Sequence, residues 1–183
     1  MIVISGPSGV GKSSLCEALL KRPGCRRVIT CTTRPPREGE QDGVDYFFSD
    51  RNDFEEGIRG GRFLEYAEVY GNLYGTPRSQ VEEGIENGMD LLLNIDVQGA
   101  RQIRDSRIRN LVTVFIDAPS EEELERRLVS RAADSEKDIR QRLEIARRER
   151  EEKSAYHHVV VNADFDKAVR ELEALLESPV ESN

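Results

Sequence analysis

At 183 residues, with 37% hydrophobic and 34% charged side chains, the chain has the size and balance of one globular domain with a real core. It has no apolar run of membrane-spanning length and no signal-peptide pattern, so a cytosolic protein is expected. A net charge of -8 speaks against a nucleic-acid polymer as partner, and three cysteines (Cys16, Cys25, Cys31) without C-x-x-C or zinc spacing speak against a redox or zinc site.

The chain opens on an apolar strand, Met1-Ile2-Val3-Ile4, that runs into Gly6-Pro7-Ser8-Gly9-Val10-Gly11-Lys12-Ser13-Ser14. This is G-x-x-x-x-G-K-[ST] after a strand and before a helix, the pattern of a phosphate-cradling P-loop. Its glycines let consecutive backbone N–H groups converge on a phosphate at the positive end of the helix that follows. Lys12 is placed to reach the β- and γ-phosphates, and Ser13 to ligate Mg²⁺. The helix is expected over Lys12–Lys21. From Cys31 to about Gly88 the rhythm changes: a loop rich in Pro and Gly, short β-like pieces at Val44–Phe48, Phe63–Val69 and Leu73–Tyr74, and a helix near Asn52–Arg59. We read residues 32–89 as a small, strand-rich insertion.

Strand and helix then alternate. Strands are expected at Asp90–Ile95, Leu111–Ile116 and His158–Val161, and helices at Val97–Asp105, Ser120–Arg131, Ser135 to about Ser154, and Asp164–Glu177. Ser120, followed by Glu123, and Ser135 in its acidic setting have the form of helix caps. The tail 178–183 is expected to fray. The order of elements implies an α/β fold with a central parallel sheet.

Basic residues cluster in two places. Arg34 and Arg37 lie three apart in a proline-stiffened loop, with Tyr46 and Tyr74 to follow, a set suited to a dianionic phosphate: guanidinium forks bind oxygens in pairs and phenols donate singly. Arg127 and Arg131 share one helical face and Arg142 returns on the next helix, so the turn between could close over a triphosphate. Arg126, Arg140, Arg147, Arg148 and Arg150 are read as solvated helix face.

The P-loop, T-T-R-P-P-R-E-G-E from Thr32, G-V-D-Y from Gly43, F-L-E-Y from Phe63, Y-G-T from Tyr74 and I-D-V-Q-G-A from Ile95 resemble, in order and spacing over nearly the whole chain, the guanylate kinases. The resemblance implies a P-loop three-layer fold with a GMP-binding insertion at 32–89, a lid at 127–142 and core at 1–31, 90–126 and 143–183. It implies transfer of the γ-phosphoryl group of ATP to GMP, and to dGMP by extension, with Mg²⁺, by a monomer or homodimer. Arg34, Arg37, Tyr46 and Tyr74 would hold the GMP phosphate, and Glu65, Thr76 and Asp96 would read guanine, with Thr30 where a serine often stands. The P-loop residues with Arg127, Arg131 and Asn162 would hold ATP, Ser13 and Asp96 the metal, and Lys12, Arg34, Arg127, Arg131 and Arg142 would act in catalysis. Chemistry favours guanine independently: a carboxylate accepts from both N1–H and the 2-amino group, a donor pair that adenine lacks.

Four departures from the family pattern stand out: Asn94 for an acid, Ala132-Ala133 for Gly-Thr, and Ala163 for an acid. Two other readings are weighed. A GTPase switch would explain Asp96-Val97-Gln98-Gly99 but lacks an N-K-x-D motif. A guanylate-kinase-like scaffold domain that binds phosphopeptide does not need the intact Gly11-Lys12-Ser13.

Overall fold

A computed structural model describes residues 1–106, 108–129 and 136–177. Its central sheet contains β1 (Ile2–Ser5), β2 (Cys25–Arg27), β7 (Asp90–Asn94), β8 (Val112–Asp117) and β9 (His158–Val161). They are ordered β2-β7-β1-β8-β9, and every neighbouring pair is parallel. The interior strands of a parallel sheet are buried on both faces and therefore almost wholly apolar, whereas the edge strands β2 and β9 are partly exposed. Alternate residues of one strand indeed enter different cores. Ile2, Ile4, Val112, Val114 and Ile116 join Leu15 and Leu19 of α1 (Lys12–Leu19), Leu124 and Leu128 of α5 (Glu121–Val129), Leu143 of α6 (Glu136–Glu151) and Leu172 of α7 (Phe165–Glu177). Val3, Leu91, Leu93 and Phe115 face the other way, toward Val81 of α3 (Arg78–Glu86) and Ala100 and Ile103 of α4 (Val97–Asp105). The result is a three-layer α/β fold.

A second, four-stranded sheet is ordered β4 (Phe47–Phe48), β3 (Cys31–Thr32), β6 (Asn72–Pro77), β5 (Phe63–Val69); β3–β6 and β6–β5 pair antiparallel and β4–β3 pair parallel. Helix α2 (Arg51–Arg59) covers it, and Phe54 stacks on Phe63 at 4.3 Å in a small core of its own with Cys31 and Leu73.

Helix starts follow local chemistry. Asp50 accepts from Asp53 N at 2.9 Å, Ser120 from Glu123 N at 3.2 Å and Asp164 from Lys167 N at 2.8 Å, each satisfying an N–H that the helix leaves over. The cap expected at Ser135 lies outside the described residues. Three elements had no sequence expectation, the edge strand β2, the two-residue strand β3 and helix α3. Among the described residues no helix is long and apolar enough to cross a membrane.

Candidate active site

The loop after β1 turns at Gly6, Gly9 and Gly11, with φ of 134°, 90° and 93°. At Gly6 the requirement is double: φ is positive, and an added Cβ would overlap the carbonyl oxygen of Ile116 on β8. The loop is thus pressed against the carboxyl end of the sheet. Helix α1 begins at Gly11 without a side-chain cap, so its first N–H groups remain for an anion. Lys12 Nζ donates to the carbonyls of Gly6 at 2.6 Å and Pro7 at 2.8 Å, which holds the ammonium over the loop. Ser13 and Ser14 are exposed on the first turn.

Asn162, just beyond β9, braces this loop. Its Nδ2 donates to Val10 O at 2.8 Å, and its own carbonyl accepts from Arg127 Nη2 at 2.9 Å, while Arg127 Nε donates to Glu123 at 2.7 Å. Asn162 is buried, so its amide supports the backbone of the loop. Ala163 beside it is exposed. Arg131, with Ala132 and Ala133, lies outside the described residues.

On the second sheet, Arg34 forks onto Glu40 at 2.8 and 2.9 Å, donates to Pro35 O at 2.7 Å and lies 5.4 Å from the Tyr46 ring centre. Tyr46 and Tyr74 meet edge-on at 6.1 Å. These hydrogen bonds hold the Glu40 carboxyl below its ordinary range. Arg37 is exposed, its backbone N–H donating to Glu40 at 2.7 Å. Thr30 is buried just ahead of β3, its carbonyl accepting from Phe47 N at 2.9 Å.

Glu65 is 3% exposed, and Thr76 Oγ1 donates to it at 2.5 Å. Burial is the main cause that pushes its carboxyl up to about 7, with the Asp96 charge adding to it and the Thr76 hydroxyl opposing. Asp96 caps α4, accepting from Gly99 N at 3.0 Å; burial raises its carboxyl too, against the Gly99 N–H and the Lys12 charge. The two acids meet at Gly99, where an added Cβ would strike the Glu65 carboxylate and lie 3.2 Å from Asp96 Oδ1. Only glycine lets the second sheet dock this closely on α4.

Sequence reasoning passed over Glu149 of α6, half-buried, whose carboxyl burial raises while the Lys12 charge opposes. No motif marks it, and only the packing of α6 brings it near Lys12 and Asp96. One reading is corrected: Arg150 does not lie on a solvated face. Its Nε is 2.8 Å from the buried carboxylate of Asp117, with Lys153 at 3.7 Å from the same group. Arg147 and Arg148 instead pair on the surface with Glu121 and Glu144, and Arg126 with Glu123. The cysteines are free thiols; burial pushes Cys16 up to about 12 and Cys31 to about 11, which suits neither for nucleophilic work.

The P-loop lysine and the second sheet thus both act on Asp96 at the start of α4, and the chain as a whole is similar to known proteins. The guanylate kinase of Symbiobacterium thermophilum is 46% identical over 177 residues, covering 96% of this chain and 83% of that protein. That of Rickettsia conorii is 44% identical, covering 96% and 77%. The crystal structure of guanylate kinase from Anaplasma phagocytophilum superposes with a TM-score of 0.78 at 35% identity, over 96% of this chain and 83% of that one. The guanylate kinase family model matches residues 1–179, and the chain therefore belongs to the guanylate kinase family.

Proposed function

We infer that the reaction, transfer of the γ-phosphoryl group of ATP to GMP to give ADP and GDP, is divided among the residues above as follows. The uncapped start of α1 and the backbone of Gly6 to Ser14 receive the ATP phosphates, and Lys12 follows the γ-phosphoryl group as charge moves onto the leaving oxygen. Arg34, Arg37, Tyr46 and Tyr74 seat the GMP phosphate. Glu65 accepts from guanine, with Thr76, Thr30 and Asp96 beside it. Arg127 and Arg142, with Arg131, neutralise charge on the transferring group, and residues 127–142 act as the lid. Because the attacking phosphate oxygen is already anionic, positioning and electrostatics suffice and no protein base is needed.

Mg²⁺ fits the donors at the loop. Among the described residues no group of three or more His, Cys, Asp or Glu is arranged as a metal cage. Mg²⁺ on a nucleotide needs none, since phosphate oxygens and waters fill most of its shell. Ser13 would supply a hydroxyl and Asp96 a carboxylate; Asn94, which lines one small pocket with Ser13, offers a neutral amide oxygen where the family pattern has an acid. When bound, the ion would supply positive charge against the triphosphate.

The observation that supports this reading is the meeting of Glu65 and Asp96 at Gly99: a buried carboxylate suited to guanine lies beside an acid that feels the Lys12 charge. A coupled assay with GMP, dGMP, AMP, UMP and CMP tests it. GMP should be preferred over AMP by up to ~10⁴-fold, the scale set by a buried polar match. The preference should collapse in Glu65→Gln; a variant that still rejects AMP as well as the wild type would place guanine recognition elsewhere.

A further inference from the structure

Tyr70 has no part in the assignments above, yet its backbone is unusual. With Gly71 it forms the two-residue turn from β5 to β6, between the paired residues Val69 and Asn72, and its φ is 51°. This left-handed region suits asparagine or glycine and penalises an aromatic residue. Burial does not offset the penalty, because Tyr70 is 48% exposed. Its ring meets Arg142 of α6, whose guanidinium carbon lies 5.3 Å from the ring centre, within reach of a cation–π contact.

The turn is tied to its own sheet. Asn72 Nδ2 donates to Tyr70 O at 3.3 Å, and Arg51 of α2 pairs with Glu68 of β5 at 3.3 Å. Helix α6 belongs to the central core through Leu143 and Ala146. The Tyr70–Arg142 contact therefore joins the acceptor sheet to the donor half.

We propose that Tyr70 is a positioning residue for phosphoryl transfer: its ring, carried on the acceptor sheet, sets the guanidinium of Arg142 toward the cleft. This rests on reading Arg142 as an arginine that meets the transferring phosphoryl group. A planar guanidinium can lie on a ring by its face and still present N–H groups at its edge to phosphate oxygens. Held so, the long side chain has fewer rotamers to lose when the phosphate arrives.

The test is steady-state kinetics and thermal midpoints for Tyr70→Asn, Tyr70→Phe, Arg142→Ala and Tyr70→Asn/Arg142→Ala. Asparagine fits the turn, so Tyr70→Asn should keep or raise the midpoint while lowering kcat roughly 3- to 30-fold with little change in either KM. Tyr70→Phe should keep most of the rate, and Tyr70→Asn should cost nothing further once Arg142 is alanine. A wild-type kcat in Tyr70→Asn with a slow Arg142→Ala would overturn the role of Tyr70 and leave that of Arg142 standing. Wild-type rates in both would overturn the reading of Arg142 and the inference with it. Equal losses with and without Arg142, or a Tyr70→Phe as slow as Tyr70→Asn, would also overturn it, since the ring would not be acting through the arginine.

Discussion

Burying Glu65 makes its ionisation depend on pH in the neutral range. With the carboxyl lifted from its ordinary 4.5 to about 7, the free protein holds Glu65 uncharged in mild acid and ionised in mild base. Only the ionised form accepts from both guanine donors. KM for GMP should be flat in mild base and rise by up to ~tenfold per unit of pH below neutrality. Glu65→Gln meets a substrate phosphate of the same ionisation and should lack that inflection; an unchanged profile in the variant would assign the dependence to another group. The same burial costs the fold about 3 kcal/mol once the carboxylate is charged. That cost is absent below 4.5 and complete above about 7, so stability should fall across this interval. At this scale the sequence showed the residue but not its environment. On an alternating strand Glu65 reads as a surface acid, and its burial comes from Gly99, on another element of the chain.

Elements whose information is local were legible. Helix α4 begins and ends where expected, because Asp96 caps it and its apolar residues recur with helical spacing. The strands of the central sheet stand out as short apolar runs. Strand β2 and helix α3 do not: β2 has three residues and none is fully buried, and α3 follows Pro77 without a side-chain cap and buries Val81 and Gly84 against a strand that comes later. The same limit explains Arg150. Arg147, Arg148 and Glu151 near it on α6 are exposed charges, and only the fold brings buried Asp117 to it. Arg150→Met should leave that carboxylate with only the Ala118 N–H and the more distant Lys153 and lower stability by about 2 kcal/mol, less than a fully buried pair because Arg150 is partly solvated. That corresponds to roughly 4–8 °C in Tm for a chain of this size. Adding Asp117→Asn should recover part of the loss; no recovery in the double variant would show that the arginine acts through packing.

At the scale of the whole molecule, the proposed assignment puts the two substrates on two sheets, and that separation can be measured. Arg34→Ala should raise KM for GMP about 10- to 100-fold, the effect of losing a charge-assisted phosphate contact, with little change for ATP. Lys12→Met should instead lower kcat at least ~10²-fold while GMP binding persists. Equal shifts in both Michaelis constants for Arg34→Ala would contradict the division. The sequence offered both candidate phosphate sites because the residues of each lie in short motifs, whereas the contacts that join the two halves, at Gly99 and at Tyr70, are long-range and carry no motif. The brace on the donor loop is of this kind: Asn162 and Val10 are 152 residues apart. A chain made from its amino end therefore displays the P-loop sequence early in synthesis but lacks the Asn162 brace on that loop until strand β9 has left the ribosome and joined the sheet. A nascent chain stalled before Asn162 would carry the most recognisable segment of the enzyme without its support.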